Sequence, residues 1–270
     1  MLFHDTERPG LTGRPAASSA NAVTSVAEQR STPLERGIQM LQAFRPSGGE
    51  LRLTDLARRT GLPKSTVHRL AEQLVGMSLL ERTEEGYTLG LALFELGELV
   101  PVKMRLREAA LPYMEDLYEA THETVHLGIR DRLDVIYAEK IRGHSAVDVP
   151  SRVGGRLPLT CTGVGKTLLA FSDPELVTEV LRRPLRRLTE YSISDPDVLQ
   201  AELAKIRNAG FGYDRQEASL GVSCVAAPVL VRAEVVAAIS IAVPSRRLQS
   251  SRLVPAVRTA SLALSRLLSR

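Results

Sequence analysis

Two cysteines, Cys161 and Cys224, are all that 270 residues offer, and tryptophan is absent. Two cysteines cannot build a disulfide framework, which excludes the small bridge-stapled scaffolds. Intrinsic fluorescence would rest on six tyrosines. No apolar run approaches the roughly 20 residues that a membrane-spanning helix needs. Residues 1–30 are polar and rich in small side chains, with Pro9, Gly10, Gly13, Pro15 and a Ser18-Ser19-Ala20-Asn21 run. They lack the apolar stretch of a signal peptide and read as a disordered tail of a cytoplasmic protein, with no membrane partner. A strong charge of either sign is missing too. The formal net charge is +4 and the isoelectric point about 9.3, weak evidence by themselves for a nucleic-acid partner.

What is present begins with a hydrophobic content of 44%, ample for real cores in a chain long enough for two domains. The richest stretch is Leu53-Thr54-Asp55-Leu56-Ala57-Arg58-Arg59-Thr60-Gly61-Leu62-Pro63-Lys64-Ser65-Thr66-Val67-His68-Arg69-Leu70. It reads as two short helices joined at Thr60-Gly61-Leu62. Thr54 is placed to cap the first, with Leu56 and Ala57 inward and Arg58 and Arg59 outward. Gly61 supplies the turn, and Pro63 suits the first position of the second helix, where a missing N–H costs nothing. In that helix Val67, Leu70, Ala71 and Leu74 form one buried stripe. Lys64, Ser65, Thr66, His68 and Arg69 remain on the open faces, near the helix start. A helix-turn-helix presents that end of its second helix to base edges in the major groove of double-stranded DNA. Arg58 and Arg59 would hold the phosphate backbone.

The flanks agree. Upstream, Leu34, Ile38, Leu41 and Phe44 repeat at helical spacing behind a cap at Ser31 or Thr32. Downstream, residues 79–82 and 87–89 are strand-like around Thr83-Glu84-Glu85-Gly86, and a hairpin after a recognition helix is a wing. Bases barely outnumber acids over residues 31–90, so the expectation rests on a local basic face rather than on the total. A plain three-helix bundle would have no reason to gather Arg58, Arg59, Lys64, His68 and Arg69.

After Gly90 the pattern changes. Leu91, Leu93, Phe94, Leu96, Leu99 and Val100 make a short segment apolar on more than one side, stopped by Pro101, which suggests a linker helix packed on a second copy. Residues 104–120 read as a second helix. The period then drops to two through Val125, Leu127 and Ile129, and again through Val135, Tyr137 and Ile141. Helices are expected over 159–171, 174–182 and 196–209, buried strands over 222–230 and 235–243, and an amphipathic helix from 250 to the end. Arg246, Arg247, Arg252, Arg258, Arg266 and Arg270 read as its solvated face. Arg182-Arg183-Pro184-Leu185-Arg186-Arg187 reads as a basic surface turn. The order describes an α+β fold with an antiparallel sheet, a plausible small-molecule sensor.

Several segments resemble the IclR family of bacterial transcriptional regulators over essentially all of residues 31–270. They are the helix-turn-helix run above; Tyr87-Thr88-Leu89-Gly90; Glu123-Thr124-Val125-His126-Leu127; Arg156-Leu157-Pro158-Leu159 leading to Gly163-Val164-Gly165-Lys166; Gly210-Phe211-Gly212; and Gly221-Val222-Ser223-Cys224-Val225-Ala226-Ala227-Pro228-Val229. The resemblance implies an N-terminal winged helix-turn-helix over 31–90, a linker helix and dimerisation segment over 91–111, and a GAF-like effector-binding domain over 112–270. It also implies dimers, often paired into tetramers, on palindromic operators, with no cofactor. The family's effector pocket would be lined by Gly163, Val164, Asp214, Val222, Cys224 and Ser240. Open N–H groups at the start of the Gly163 helix would suit the carboxylate of a small effector. Some relatives carry a second hydroxyl two residues beyond the Ser240 position, where this chain has Ala242.

Two motifs invite an alternative, a metal-dependent hydrolase or a nucleotide-binding enzyme. His122-Glu123-Thr124-Val125-His126 matches the zinc-protease pattern H-E-x-x-H, which needs both histidines on one helix face. The alternating run from Thr124 is strand-like, and residues four apart on a strand lie too far apart to share one zinc. Gly163-Val164-Gly165-Lys166-Thr167 resembles the end of a phosphate loop, but Thr160 stands where that loop needs its first glycine.

Overall fold

In the computed structural model the described residues are 31–45, 49–143 and 149–270, excluding the side chains of 101–105. The expected tail over residues 1–30 lies outside them. The chain divides between Phe94 and Glu95 into two compact units.

The first unit opens with α1, Pro33–Gln42, capped by Thr32 in a capping box with Glu35. Its buried face is Met40, with Ala43 and Phe44 just beyond, whereas Leu34 and Ile38 of the expected stripe are exposed. The next helix, α2, is Leu53–Thr60, two positions earlier than a Thr54 cap would give; Arg52 stands at the cap without a side-chain bond. Thr54 therefore sits in the first turn, and the leading N–H groups of α2 stay uncapped by a side chain. Gly61 closes α2 at a left-handed φ of 70°, a conformation glycine adopts without strain. Then α3 runs Lys64–Gly76, with Pro63 at its cap rather than inside it. Val67, Leu70, Ala71 and Leu74 are its buried residues, as the spacing requires. They meet Met40, Phe44, Leu56, Leu80 and Tyr87 in one cluster. Each buried leucine there contributes on the order of 1.5–3 kcal/mol.

Strands β1, Leu80–Arg82, and β2, Tyr87–Leu89, pair antiparallel. Leu51 adds a bridge to Tyr87, with both backbone bonds at 2.9 Å. A side chain at Gly86 would meet the Leu51 carbonyl at 2.3 Å, so only glycine admits this third strand. After it comes α4, Ala92–Glu98, which has no buried residue.

The second unit begins with α5, Pro101–Thr121, where Pro101 opens the helix instead of merely stopping the previous one. Strands β3, Thr124–Asp131, and β4, Asp134–Ile141, follow as a hairpin. The short β5, Arg156–Pro158, leads through a 3₁₀ turn, Leu159–Cys161, into α6, Gly163–Ala170. Next are α7, Pro174–Leu181, α8, Pro196–Ala209, β6, Gly212–Arg215, β7, Val222–Val231, β8, Glu234–Pro244, and α9, Ser250–Leu268. The six strands order as β5-β4-β3-β8-β7-β6, every pair antiparallel. Alternation along the central strands sends Val125, Leu127, Val225, Ala227, Ile239 and Ile241 onto α5 and α9. The opposite face, with Val135, Tyr137, Ala226 and Ala238, packs on Val164 and Leu168 of α6. The fold is α+β, a sheet between helices. No described helix is long and apolar enough to cross a membrane.

Candidate functional site

The open side of α3 carries Lys64, Ser65, His68 and Arg69 exposed and Thr66 half-buried. These five stand within two turns of the helix start, whose position is held by the turn before it. Gln39 of α1 donates to the Thr60 carbonyl at 2.8 Å, and the Thr60 hydroxyl donates back to Leu56 at 2.7 Å. The arginines expected on the backbone are partly engaged. Arg58 pairs with Asp55 at 2.8 Å, one turn away. That bond also holds the Asp55 carboxyl below its usual range. Arg59 donates to the Ala43 carbonyl at 2.8 Å, tying α2 to the end of α1. The wing is fastened to α3 through Arg82, which bonds Glu72 and lies over the Tyr87 ring.

In the second unit, strand register gathers residues far apart in sequence. One cross-strand row is Asp214, Cys224, Ala242 and Thr124. The neighbouring row holds Gly212, Ala226, Ser240 and His126. Asp214, Val222, Cys224 and Ser240 line a cavity together with His126, Tyr137, Ser151 and Thr162. Gly163 lies behind Cys224, where a Cβ would come within 2.7 Å of the thiol sulfur. Val164 faces elsewhere, against Gly128 and the core around Val135 and Leu168. The cavity holds about 30 Å³, room for about one water.

Its walls mix polar side chains with apolar ones such as Val149, Leu157 and Ala242, and carry little charge. His126 accepts or donates to the Ser151 hydroxyl at 2.7 Å, and burial, helped by nearby Lys140, pushes its pKa down to about 3. The ring is neutral. Burial raises the Cys224 thiol and the Tyr137 phenol far above their ordinary values, so both stay protonated. Asp214 is lifted to about 7 by burial and by Glu217 beside it. Its carboxylate accepts from the Glu217 N–H at 2.6 Å. Glu217 in turn holds Lys166, with 2.5 Å between them and both side chains buried. Among the described residues no lysine or arginine lines the cavity.

The start of α6 is partly spent on its own chain. Thr162 accepts from the Gly165 N–H at 2.8 Å through its hydroxyl and from the Lys166 N–H at 2.9 Å through its carbonyl. The Gly163 N–H is directed at the Cys224 sulfur. Lys166 is thus committed to Glu217 rather than poised over a phosphate. The zinc pattern is broken as well: His122 caps α5 in a left-handed conformation, and His126 lies on β3. Glu123 pairs with Arg247 at 2.6 Å.

Comparison with known proteins settles the class. The model of the IclR helix-turn-helix domain matches residues 33–84, and that of the bacterial transcriptional regulator IclR C-terminal domain matches residues 99–266. The chain belongs to the IclR family. The HTH-type transcriptional regulator XynR of Escherichia coli is 34% identical over 242 residues, covering 87% of this chain and 96% of that protein. The transcriptional repressor IclR of Escherichia coli is 31% identical over 251 residues, 90% of each chain. The crystal structure of an IclR homologue from Microbacterium hydrocarbonoxydans, complexed with 4-hydroxybenzoate, superposes with a TM-score of 0.81. It is 31% identical and covers 88% of this chain and 99% of that one. As an IclR-family member the chain is a transcriptional regulator with a DNA-binding helix-turn-helix and a C-terminal effector domain. The family and these relatives are regulators, not enzymes, so the hydrolase and nucleotide-binding alternatives fall.

The polar cavity residues His126, Tyr137, Ser151, Thr162 and Ser219 are not among those the sequence led us to expect there. His126 carried a faint signal, a polar residue inside the apolar run from Val125 to Ile129. What identifies it is its register opposite Ser240, which no local pattern reveals.

Proposed function

We propose that this chain is a ligand-responsive repressor that binds a palindromic operator as a dimer, alone or paired into tetramers, and answers to a small carboxylate-bearing metabolite. Lys64, Ser65, Thr66, His68 and Arg69 enter the major groove, and Arg58, Arg59 and the wing hold the phosphates. The observation that carries this reading is the open face of α3, where five groove-reaching side chains crowd the helix start while its other face is sealed in the core. Dimer formation draws on the apolar linker, with Leu91, Phe94, Leu96 and Leu99 all at least 60% exposed. The tail, the winged helix, the linker and the effector domain divide at residues 30, 90 and 111, in a cytoplasmic protein.

The effector enters the cavity bounded by Asp214, Val222, Cys224 and Ser240, with Gly163 and Val164 supporting the helix behind it. The Microbacterium relative is complexed with a carboxylic acid, 4-hydroxybenzoate, which supports that class here. Entry requires the His126–Ser151 bond to open, since the closed cavity admits little more than a water. The movement passes to α4 and changes the spacing of the two DNA heads. Footprinting on the chain's own upstream intergenic DNA, against random DNA across a salt series, tests the reading. A protected region with two-fold symmetry is expected, and loss of all binding at low salt would overturn it. Asp214→Ala and Ser240→Ala should keep operator binding and lose the effector response.

A further inference from the structure

A second cavity opens on the other side of the 3₁₀ turn, away from the residues discussed so far. It lies at the edge of the sheet, between β5, the end of α7 and the turn that follows, and holds about 350 Å³. Ligand sites fall in the range of about 300–1,000 Å³, and this one is some ten times the size of the cavity on the sheet face. Its floor is apolar, built from Leu133, Pro158, Leu159, Val180 and Leu185, with the Thr160 hydroxyl the polar group among them. Arg183 and Arg186 stand at its mouth.

The arginines decide what would fit. Residues 182–187 supply four of them in six positions, at Arg182, Arg183, Arg186 and Arg187. Arg183 is bonded to Glu179 at 2.6 Å, but that pair is exposed and easily exchanged. Arg186 lies 3.7 Å from Asp134, an ion pair beyond hydrogen-bond length. Asp134 is moreover shared with Arg156 at 3.8 Å. The Arg186 guanidinium is two-thirds exposed, so it can turn onto an anion. Its backbone is anchored regardless, because the Cys161 thiol donates to the Arg186 carbonyl at 3.1 Å. An apolar bowl with a guanidinium at the rim matches an amphipathic acid, whose body fills the floor while its carboxylate takes paired N–H bonds.

We propose that this cavity is a second ligand site, separate from the sheet-face cavity, for a small carboxylic acid with an apolar body of about a dozen non-hydrogen atoms. The shape excludes highly polar acids, which would leave the floor unfilled, and the rim disfavours amines.

Titration of the full chain with 2-naphthoate, followed by calorimetry, tests this, with naphthalene-2-carboxamide as the uncharged control. Saturable binding is expected for the acid, with the amide roughly tenfold weaker, the size of effect a charged hydrogen bond carries. Arg186→Ala should weaken the acid by a similar factor and leave the amide alone. Leu185→Trp should fill the bowl and abolish both, its fold checked by far-ultraviolet circular dichroism. Should that variant fail to fold, Arg183→Ala with Arg186→Ala, at two exposed positions, should weaken the acid at least as much as Arg186→Ala alone and spare the amide. Asp214→Ala, in the sheet-face cavity, should bind 2-naphthoate as the wild type does. Absence of saturable binding overturns the proposal, as does binding that ignores Arg186 or is lost in Asp214→Ala. None of those outcomes touches operator recognition, so the regulator reading stands or falls separately.

Discussion

Arg69 is exposed on α3, whereas Lys166 is sealed beside Glu217 at the start of α6, and the two cations call for different tests. Arg69 has solvent on its open side and, in the proposed complex, a base edge. Arg69→Ala is expected to cost about 1–3 kcal/mol on the operator and to relax preference at one base pair. Competition binding against operator variants and random DNA checks it; equal loss on every sequence would make Arg69 a phosphate contact. Lys166 has already lost its water, and the compensation is one carboxylate. Lys166→Met leaves Glu217 buried and unpaired, at a cost of about 3–5 kcal/mol. Lys166→Met combined with Glu217→Leu should recover most of that, because the charge left behind is the damaging part. Urea unfolding followed by circular dichroism measures both, and a double variant as unstable as the single one would refute the account.

Among the elements, α6 is closely constrained at its first residue. A Cβ on Gly163 would come within 2.7 Å of the Cys224 sulfur and 3.0 Å of the Asp214 nitrogen. Gly163→Ala must therefore push α6 off the strands, and it should abolish effector response while operator binding survives. A full response in that variant, measured by effector-induced change in operator affinity, would remove the helix start from the site. The helix most open to solvent is α4, and its apolar residues matter only if something covers them. How far such elements could be foreseen depended on length. In α3 four apolar residues over two turns specify one face, and those four are its buried ones. In α1 only the far end of the expected stripe is inside: Phe44 is buried and Leu41 half-buried, whereas Leu34 and Ile38 are exposed and Met40, outside the stripe, fills the core. Strands β5 and β6 are three and four residues long, too short to show a period. Their sequences, Arg156-Leu157-Pro158 and Gly212-Tyr213-Asp214-Arg215, carry proline and glycine, which ordinarily mark turns. Asp214, Cys224 and Ser240 were legible through the family's motifs. His126 and Tyr137 were not, since their place in the cavity is fixed by pairing between distant strands.

For the molecule as a whole, the two titrating groups in the sheet-face cavity pull stability in opposite directions. His126 has an ordinary pKa of 6.5 and about 3 when folded. The stability it allows is fully present above pH 6.5 and is lost as pH falls toward 3, where only the unfolded chain takes up the proton. Asp214 moves the other way, from an ordinary 3.8 to about 7. Its contribution is full below pH 3.8 and is lost as pH rises through 7, because the folded site resists ionisation. The groups around them hold these shifts in place. Glu217 raises Asp214 and Lys166 lowers it, while Lys140 lowers His126. Between pH 4 and 6.5 each group contributes a slope of about 1.4 kcal/mol per pH unit, opposite in sign, so the pair cancels. His126→Gln should unmask the aspartate, giving a protein that loses stability relative to wild type as pH rises through that window. Asp214→Asn should unmask the histidine, with stability lost as pH falls, and the double variant should track the wild type again. Urea midpoints at four or five pH values would show this directly. Parallel curves for all four proteins would mean that neither side chain titrates as its burial requires.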